Sequence, residues 1–274
     1  MNILFISHHK WPHIGGVERH VNAISNKLNH LGHKTEIISE EDIKPPKIKI
    51  LGLLYIWFWF LKNIKLIKKA DIVHIHDVFI WYIPFGFLFP TKKVYITFHG
   101  WEGKFPLTMW SIYNKRIANK LTNGSIAVGS YVEKWYGIKT DFIIHGGIEK
   151  LEKNKQSLPL RGKNSIVWLG RTDKDTGYLE FQKWLSTQKV NYKVTYVTNV
   201  KNPEKYLKTA EYCVPSGYLS YLEAKSYGCK IMIFANNPLK EDYWNEIKKL
   251  KKIPTWDVIV KVYIKLWKSD IFEK

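Results

Sequence analysis

The sequence predicts an α/β protein made of two doubly wound units, and three observations lead there. Short apolar runs rich in β-branched residues alternate with helical patterns along the chain, as in parallel sheets covered by helices. Several of these runs end in glycine or polar residues: SHHK after NILFI, HD after DIVHI, HG after KVYITF and GR after SIVWL. In open α/β sheets that end of a strand is where ligands sit. Finally, Lys150 to Lys163 is polar, lysine-rich and contains Pro159, which marks a linker. A boundary there gives domains of residues 1–155 and 156–274.

The elements follow in order. Asn2 to Ser7 forms a first strand, and Gly15-Gly16 precedes a helix whose apolar face carries Val17, Val21, Ile24, Leu28 and Leu31. Gly32 closes that helix as a C-cap, and His33 to Ser39 is a second strand. A charged loop, Glu40 to Lys49, leads to LGLLYIWFWFLKNIKLIKKA. Its apolar part, Leu51 to Leu61, is shorter than the roughly 20 residues needed to span a bilayer. Lys62, Lys65, Lys68 and Lys69 follow it. Aromatic rings beside a basic stripe suit either a helix covering the sheet or one lying on an anionic membrane surface. Strands at Asp71 to His76, Lys93 to Phe98, Ser125 to Val128 and Phe142 to Ile144 alternate with helices at Trp110 to Leu121 and Tyr131 to Tyr136. In the second half, strands are expected at Ser165 to Leu169, Tyr192 to Val197, Glu211 to Val214 and Cys229 to Phe234. Helices are expected at Tyr178 to Leu185, Lys201 to Thr209 and Tyr218 to Tyr227, with a largely helical remainder.

Composition narrows the function classes. Lys and Arg number 43 against 24 Asp and Glu, a formal net charge of +19, which favours anionic partners. The excess is scattered lysine, with no arginine-rich arm, zinc-finger spacing or RNA-recognition signature, so nucleic acid is the weakest of these partners. Cys213 and Cys229 form neither a disulfide framework nor a metal set; they read as core residues of a reducing, cytoplasmic compartment. The start MNILFISHHK reads as a strand, not as a signal peptide.

Candidate site residues cluster at the strand ends. Gly170 allows a sharp turn after Ser165 to Leu169 and leaves Arg171 at the strand's carboxyl end beside a helix start. An arginine there suits a phosphate or diphosphate; the alternative is a surface arginine in a connecting loop. The Gly15-Gly16 pair before a helix lets backbone N–H groups approach an anion, although the full dinucleotide fingerprint is missing. Glu223, in SYLEAKSYG, is placed to accept ribose hydroxyls or to face solvent. His74 and His76 share one face of a strand, but no third ligand stands at a suggestive spacing, so no metal is expected there. His76 and His99, with Glu102 just beyond, are placed to touch a substrate or each other.

The ordered set of motifs PHIGGVERHVNAISNKLNHLGHKTEII, DIVHIHD, VYITFHG, SIAVGS, IIHGGIE, IVWLGR and VPSGYLSYLEAKSYGCKIMIF resembles the GT-B-fold glycosyltransferases of glycosyltransferase family 4. That resemblance implies two Rossmann-like domains facing across a cleft. The second would bind a UDP- or GDP-sugar, and the first would hold a glycan, glycolipid or protein-linked sugar acceptor. By the same resemblance Gly15 and Gly16 approach the donor, Gly170 and Arg171 take its diphosphate, and Glu223 holds the ribose. Tyr218, Leu219 and Ser220 line the donor site, and His99 faces the reaction centre. His76, His99 and Glu102 lie on the acceptor side. Transfer with retention and without a metal or other cofactor is implied.

Two departures stand out. Thr176 occupies the position of the family's lysine, with Lys174 two residues earlier as a substitute. Pro215 stands where the family's first paired glutamate falls in an ungapped alignment, while the PS of VPSG argues instead for a shortened loop; in either alignment that glutamate is missing. The second domain is short, and the last helix, about 256–272, is expected to return to the first domain. The departures raise a second reading, a non-catalytic protein that binds a nucleotide sugar or glycan.

Overall fold

The computed structural model describes residues 1–13, 15–100, 105–149, 161–200 and 202–269. In chain order its elements begin with β1 (Asn2–Ile6), α1 (Gly16–His30), β2 (Lys34–Ile38), α2 (Glu40–Ile43), α3 (Lys49–Lys62), α4 (Ile64–Lys69) and β3 (Ile72–His76). A 3-10 turn at Phe79–Trp81 precedes α5 (Ile83–Leu88), β4 (Lys93–Phe98), α6 (Met109–Leu121), β5 (Gly124–Ala127), α7 (Ser130–Tyr136) and β6 (Phe142–Ile143). Then come β7 (Gly162–Leu169), α8 (Tyr178–Ser186), β8 (Lys193–Val197), α9 (Glu204–Thr209), β9 (Ala210–Pro215) and α10 (Tyr218–Ser226). The last elements are β10 (Lys230–Ile231), α11 (Pro238–Lys248) and α12 (Trp256–Lys268). The chain divides into two compact units. One comprises Met1–Glu102, Pro106–His145 and Trp256–Lys274, and the other Gly103–Phe105 and Gly146–Thr255.

The first unit holds a six-stranded sheet in the order β2-β1-β3-β4-β5-β6, all parallel. Parallel crossovers are right-handed. The step from β1 to β2 runs opposite to the four later steps, so α1 covers one face and the helices from α3 to α7 cover the other. α12 joins α1: Tyr263 OH lies 2.9 Å from His20 Nε2, and Lys27 pairs with Asp257 at 3.2 Å. On the opposite face Phe60 and Phe85 meet at 5.7 Å between ring centroids, and Trp57 Nε1 donates to the Ile80 carbonyl.

Beneath α12 runs a buried polar chain. Trp267 Nε1 donates to His74 Nδ1 at 3.0 Å. Indole is donor-only, so the neutral imidazole carries its proton on Nε2, which donates a hydrogen bond to Thr97 Oγ1 at 2.8 Å. Thr97 Oγ1 stands 2.9 Å from Tyr263 OH, which reaches His20 Nε2. His20, His74, Thr97, Tyr263 and Trp267 are all buried. A satisfied polar chain of this kind fixes one docking register, because any slip would leave buried donors without partners.

The second unit holds a four-stranded sheet in the order β10-β9-β7-β8, again all parallel. Ile166, Trp168, Phe181 and Val214 pack on one side, and Val167, Leu169, Leu207, Cys213 and Cys229 on the other. This two-sided core is why β7 reads as an unbroken apolar run. Both cysteines are buried free thiols.

Some local expectations change. The charged loop at Glu40 to Lys49 begins with the short α2, nucleated by a capping box between Ser39 and Asp42. α5, unmarked in the sequence, forms around Pro84 at its N-terminus, where proline's missing N–H costs nothing. The last expected strand shrinks from Cys229–Phe234 to Lys230–Ile231, since β10 is the edge of its sheet and has only β9 to pair with.

Burial holds His20, His74 and His76 well below the usual histidine range of 6.5, with neighbouring histidines adding to the shift. Such groups bind protons better in the unfolded chain, so stability falls as pH drops below 6.5. We expect the melting temperature to be level from pH 8 to 7 and to fall between pH 6.5 and 5, above the carboxylate range. A level melting temperature across that lower window would contradict the neutral buried cluster.

Candidate active site

In the second unit, β7 leads rightward to β8 while β9 leads leftward to β10, so the topological switch point lies between β7 and β9. Crevices at such points hold ligands at the strands' carboxyl ends. Gly170 (φ +119°) ends β7, and a Cβ there would collide with Ser216 Oγ. Ser216 N–H in turn donates to the Leu169 carbonyl at 2.9 Å. This close approach sets Arg171 beside the start of α10. The Arg171 guanidinium bonds Asp173 at 2.6 Å and Asp175 at 3.1 Å, and more than half of its side chain stays accessible.

The loop after Arg171 is braced from the other side. Gly177 (φ +84°) packs where a Cβ would strike the Phe234 carbonyl, and Asn236 Nδ2 donates to the Lys174 carbonyl at 2.6 Å. Lys174 itself is exposed. A second lysine near this loop is Lys240, on the first turn of α11, which Asn237 caps. Its residue is 8% exposed, its ammonium lies over the Tyr243 ring at 4.7 Å, and it feels the charges of Asp175 and Arg171. Sequence reading missed Lys240; the only local signal is the cap-and-proline start Asn237-Pro238, which marks a helix beginning at the sheet's carboxyl edge.

At the start of α10, Ser220 Oγ and Gly217 bond each other, and Tyr218 OH donates to the Gly146 carbonyl at 2.9 Å. Leu219 is half-buried. Helix first-turn N–H groups lack intrahelical acceptors, and because α10 follows β9 as Arg171 follows the parallel β7, this terminus and Arg171 line the same edge. Glu223 lies half-buried five residues further along α10, near enough to influence Cys213 and Tyr227. Pro215 ends β9.

In the first unit the switch point falls between β1 and β3. Gly15 caps α1 in an extended conformation. The Glu18 carboxylate folds back against Gly15 and also meets His13 at 3.3 Å. At the end of β3, Asp77 adopts a left-handed conformation (φ +62°). Its carboxylate accepts the His99 backbone N–H and the Lys115 ammonium at 2.9 Å. Lys115, on α6, is 4% exposed and had no signal in the sequence. His76 Nδ1 and His99 Nε2 share a hydrogen bond of 2.8 Å, and His20 meets the His99 ring edge-on at 4.9 Å. His76 Nε2 is buried without a hydrogen-bond partner among the described residues. Burial, helped by Lys115, lowers the His99 pKa to about 3, so its ring is neutral near pH 7. Glu102 lies outside the described residues.

This architecture is that of known sugar-transferring enzymes. A glycosyltransferase involved in avilamycin A biosynthesis, AviGT4, superposes with a TM-score of 0.59 over 100% of this chain and 98% of its own, at 12% identity. The catalytic domain of starch synthase IV from Arabidopsis thaliana, bound to ADP and acarbose, gives 0.60 over 98% and 99%, at 12% identity. An α-glucosyltransferase in complex with UDP and DNA gives 0.57 over 97% and 89%, at 11% identity. No curated protein sequence matches. Residues 14–150 match Glycosyltransferase Family 4, and the chain belongs to that family. It has the GT-B fold and is a glycosyltransferase.

Burial lowers the Lys240 pKa from the usual 10.5 to about 8; Asp175 opposes this shift and Arg171 adds to it. Between those two values the unfolded chain binds the proton more tightly, so stability rises with pH across the window. Lys240→Met removes that dependence. The variant should melt higher than the parent at pH 7, and the gap should close toward pH 10. Parallel pH profiles for the two proteins would contradict the assignment.

Proposed function

We propose that the chain is a retaining hexosyltransferase that uses a UDP- or GDP-sugar. Its acceptor is a hydroxyl of a glycan, glycolipid or protein-linked sugar. The observation that carries this reading is the placement of Arg171 at the β7/β9 switch point, beside the start of α10 and the buried Lys240. The acceptor oxygen forms a bond to the anomeric carbon on the face from which the nucleoside diphosphate departs. The bond from that carbon to the diphosphate oxygen breaks, and the acceptor's proton goes to the departing phosphate. Arg171, Lys240 and backbone N–H groups offset the charge that develops there, so no divalent metal is needed at the diphosphate. Asp173 and Asp175 hold Arg171 until the diphosphate displaces them. Gly15 and Gly16 approach the donor sugar, Lys174 is a further cation at the loop, and Tyr218, Leu219, Ser220 and Glu223 border the nucleotide. Neutral His99, bonded to His76, faces the acceptor, and Glu102, three residues on in the sequence, is assigned to the same side.

Arg171→Ala should weaken UDP or GDP binding about 10- to 100-fold, the worth of a charged hydrogen-bonded pair, and abolish transfer. Binding of the parent nucleoside should change little. Calorimetry with nucleoside and diphosphate makes that comparison, and full activity in the variant would refute the role. The family's glutamate missing from VPSG, and Thr176 in place of its lysine, favour a second reading, a protein that binds donors without turning them over. Thermal stabilisation by UDP or GDP with no product from any donor–acceptor pair would support it.

We also propose that the first unit rests on an anionic membrane. α3 buries Ile56 and Phe60 but leaves Leu51, Leu54, Tyr55, Phe58 and Leu61 exposed, with Ile50 75% accessible. On the same covering layer Phe87 of α5 is 78% accessible and Trp110 of α6 63%. Lys49, Lys62, Lys65, Lys68 and Lys69 accompany them. Among the described residues no helix is long and apolar enough to cross a membrane, so the contact would be interfacial. The protein should float with phosphatidylglycerol vesicles at low salt, and less so at high salt. Leu54→Glu with Phe58→Glu should abolish flotation; unchanged flotation in that variant would place the contact elsewhere.

A further inference from the structure

The loop after β1 carries three histidines in SHHKWPHIGG, and neither donor binding nor the His76–His99 pair accounts for them. The fold brings His8, His9 and Glu40 together so that one ligand-capable atom of each lies within 4.8 Å of the others. His8 Nε2 stands 3.1 Å from Glu40 Oε1. The His8 and His9 rings meet edge to face at 4.2 Å. In a tetrahedral site with bonds of about 2.0–2.1 Å, adjacent donor atoms lie roughly 3.3 Å apart, so the first pair is already at coordination spacing.

The surrounding contacts match what a metal site needs beyond its ligands. Glu41 Oε1 accepts from His9 Nδ1 at 2.9 Å. That bond fixes the His9 tautomer and leaves Nε2 as a lone-pair donor, the carboxylate–histidine arrangement that orients metal-binding imidazoles. His13 stacks on His9 at 4.3 Å between centroids and has its own carboxylate, Glu18, on Nδ1. The frame is backbone-tied: Glu40 N–H donates to the His8 carbonyl at 3.0 Å and Ser7 N–H to the Ile38 carbonyl at 3.0 Å. Lys10 N–H donates to Glu41 at 3.3 Å, and its ammonium pairs with Asp42. The ligands therefore come from two segments locked together at the carboxyl ends of β1 and β2, not from independent surface loops.

We propose that His8, His9 and Glu40 form a three-ligand site for a borderline divalent transition-metal ion, Zn²⁺ by preference. Two imidazoles and one carboxylate select against Mg²⁺ and Ca²⁺, which favour all-oxygen sets. Three protein ligands leave a fourth position open, as in sites that hold a water or a substrate oxygen. The inference goes beyond the transferase reading and stands without it.

The test uses the full chain, stripped with chelator and titrated with Zn²⁺ by calorimetry, with Co²⁺ absorption as a second readout. We expect one equivalent bound, a higher melting temperature with Zn²⁺, tetrahedral Co²⁺ bands and no competition from millimolar Mg²⁺. His8→Gln, His9→Gln and Glu40→Gln should each abolish stoichiometric binding. Glu41→Gln, which removes only the orienting carboxylate, should weaken it roughly 10- to 100-fold. Melting temperatures of the variants in chelator should match the parent's, which separates loss of metal from loss of fold. Absence of stoichiometric binding, or binding that survives in the His8→Gln/His9→Gln double variant, overturns the proposal. UDP and GDP affinity, measured on the same stripped protein, reports separately on the Arg171 site.

Discussion

The first unit depends on the buried chain Trp267–His74–Thr97–Tyr263–His20. It fastens the last helix to the middle of a sheet formed nearly two hundred residues earlier. Apolar packing alone would hold α12 in place but would tolerate sliding by a turn. Polar groups in a low-dielectric interior do not, because each unpaired donor or acceptor costs about 1–3 kcal/mol. The same chain keeps its imidazoles neutral and fixes their tautomers. His74 and Thr97 sit on β3 and β4, and those strands deliver His76, Asp77 and His99 to the carboxyl edge, so the register of the network also sets the position of these side chains.

Both units present charged groups that local partners already hold. Arg171 is held by Asp173 and Asp175, and Asp77 is held by Lys115 and the His99 backbone. A charge tied in this way keeps a fixed orientation and loses less freedom when a ligand replaces its partner. The buried ammonium of Lys240 adds a cation with a depressed pKa beside Arg171. A second positive charge near Arg171 comes from α11, while the position after Asp175 is Thr176.

Much of the fold was legible in the residues. β4 matched its expected span from Lys93 to Phe98, and most other strands and helices shifted only at their ends, because period-two and period-3.6 patterns report local burial. Local conflicts were harder to see. α2 depended on a capping box, α5 on a proline at its start, and β10 on the neighbours its sheet could offer. Arg171 stood out because a glycine and a strand end flank it. Lys115 and Lys240 did not, since a buried lysine looks like any surface lysine until the fold shows what covers it.

By itself, then, the sequence determined the class: alternating patterns fix parallel sheets, and polar residues mark the strands' carboxyl ends, because both follow from short-range periodicity. Only the tertiary structure decided which polar and charged groups meet. His20 and Tyr263, His8 and Glu40, and Arg171 and Lys240 are distant in sequence, and sheet order and right-handed crossovers bring them together. Gly170-Arg171 stood out from its sequence neighbours, but Lys240, whose ammonium feels Arg171, comes from a helix some seventy residues away.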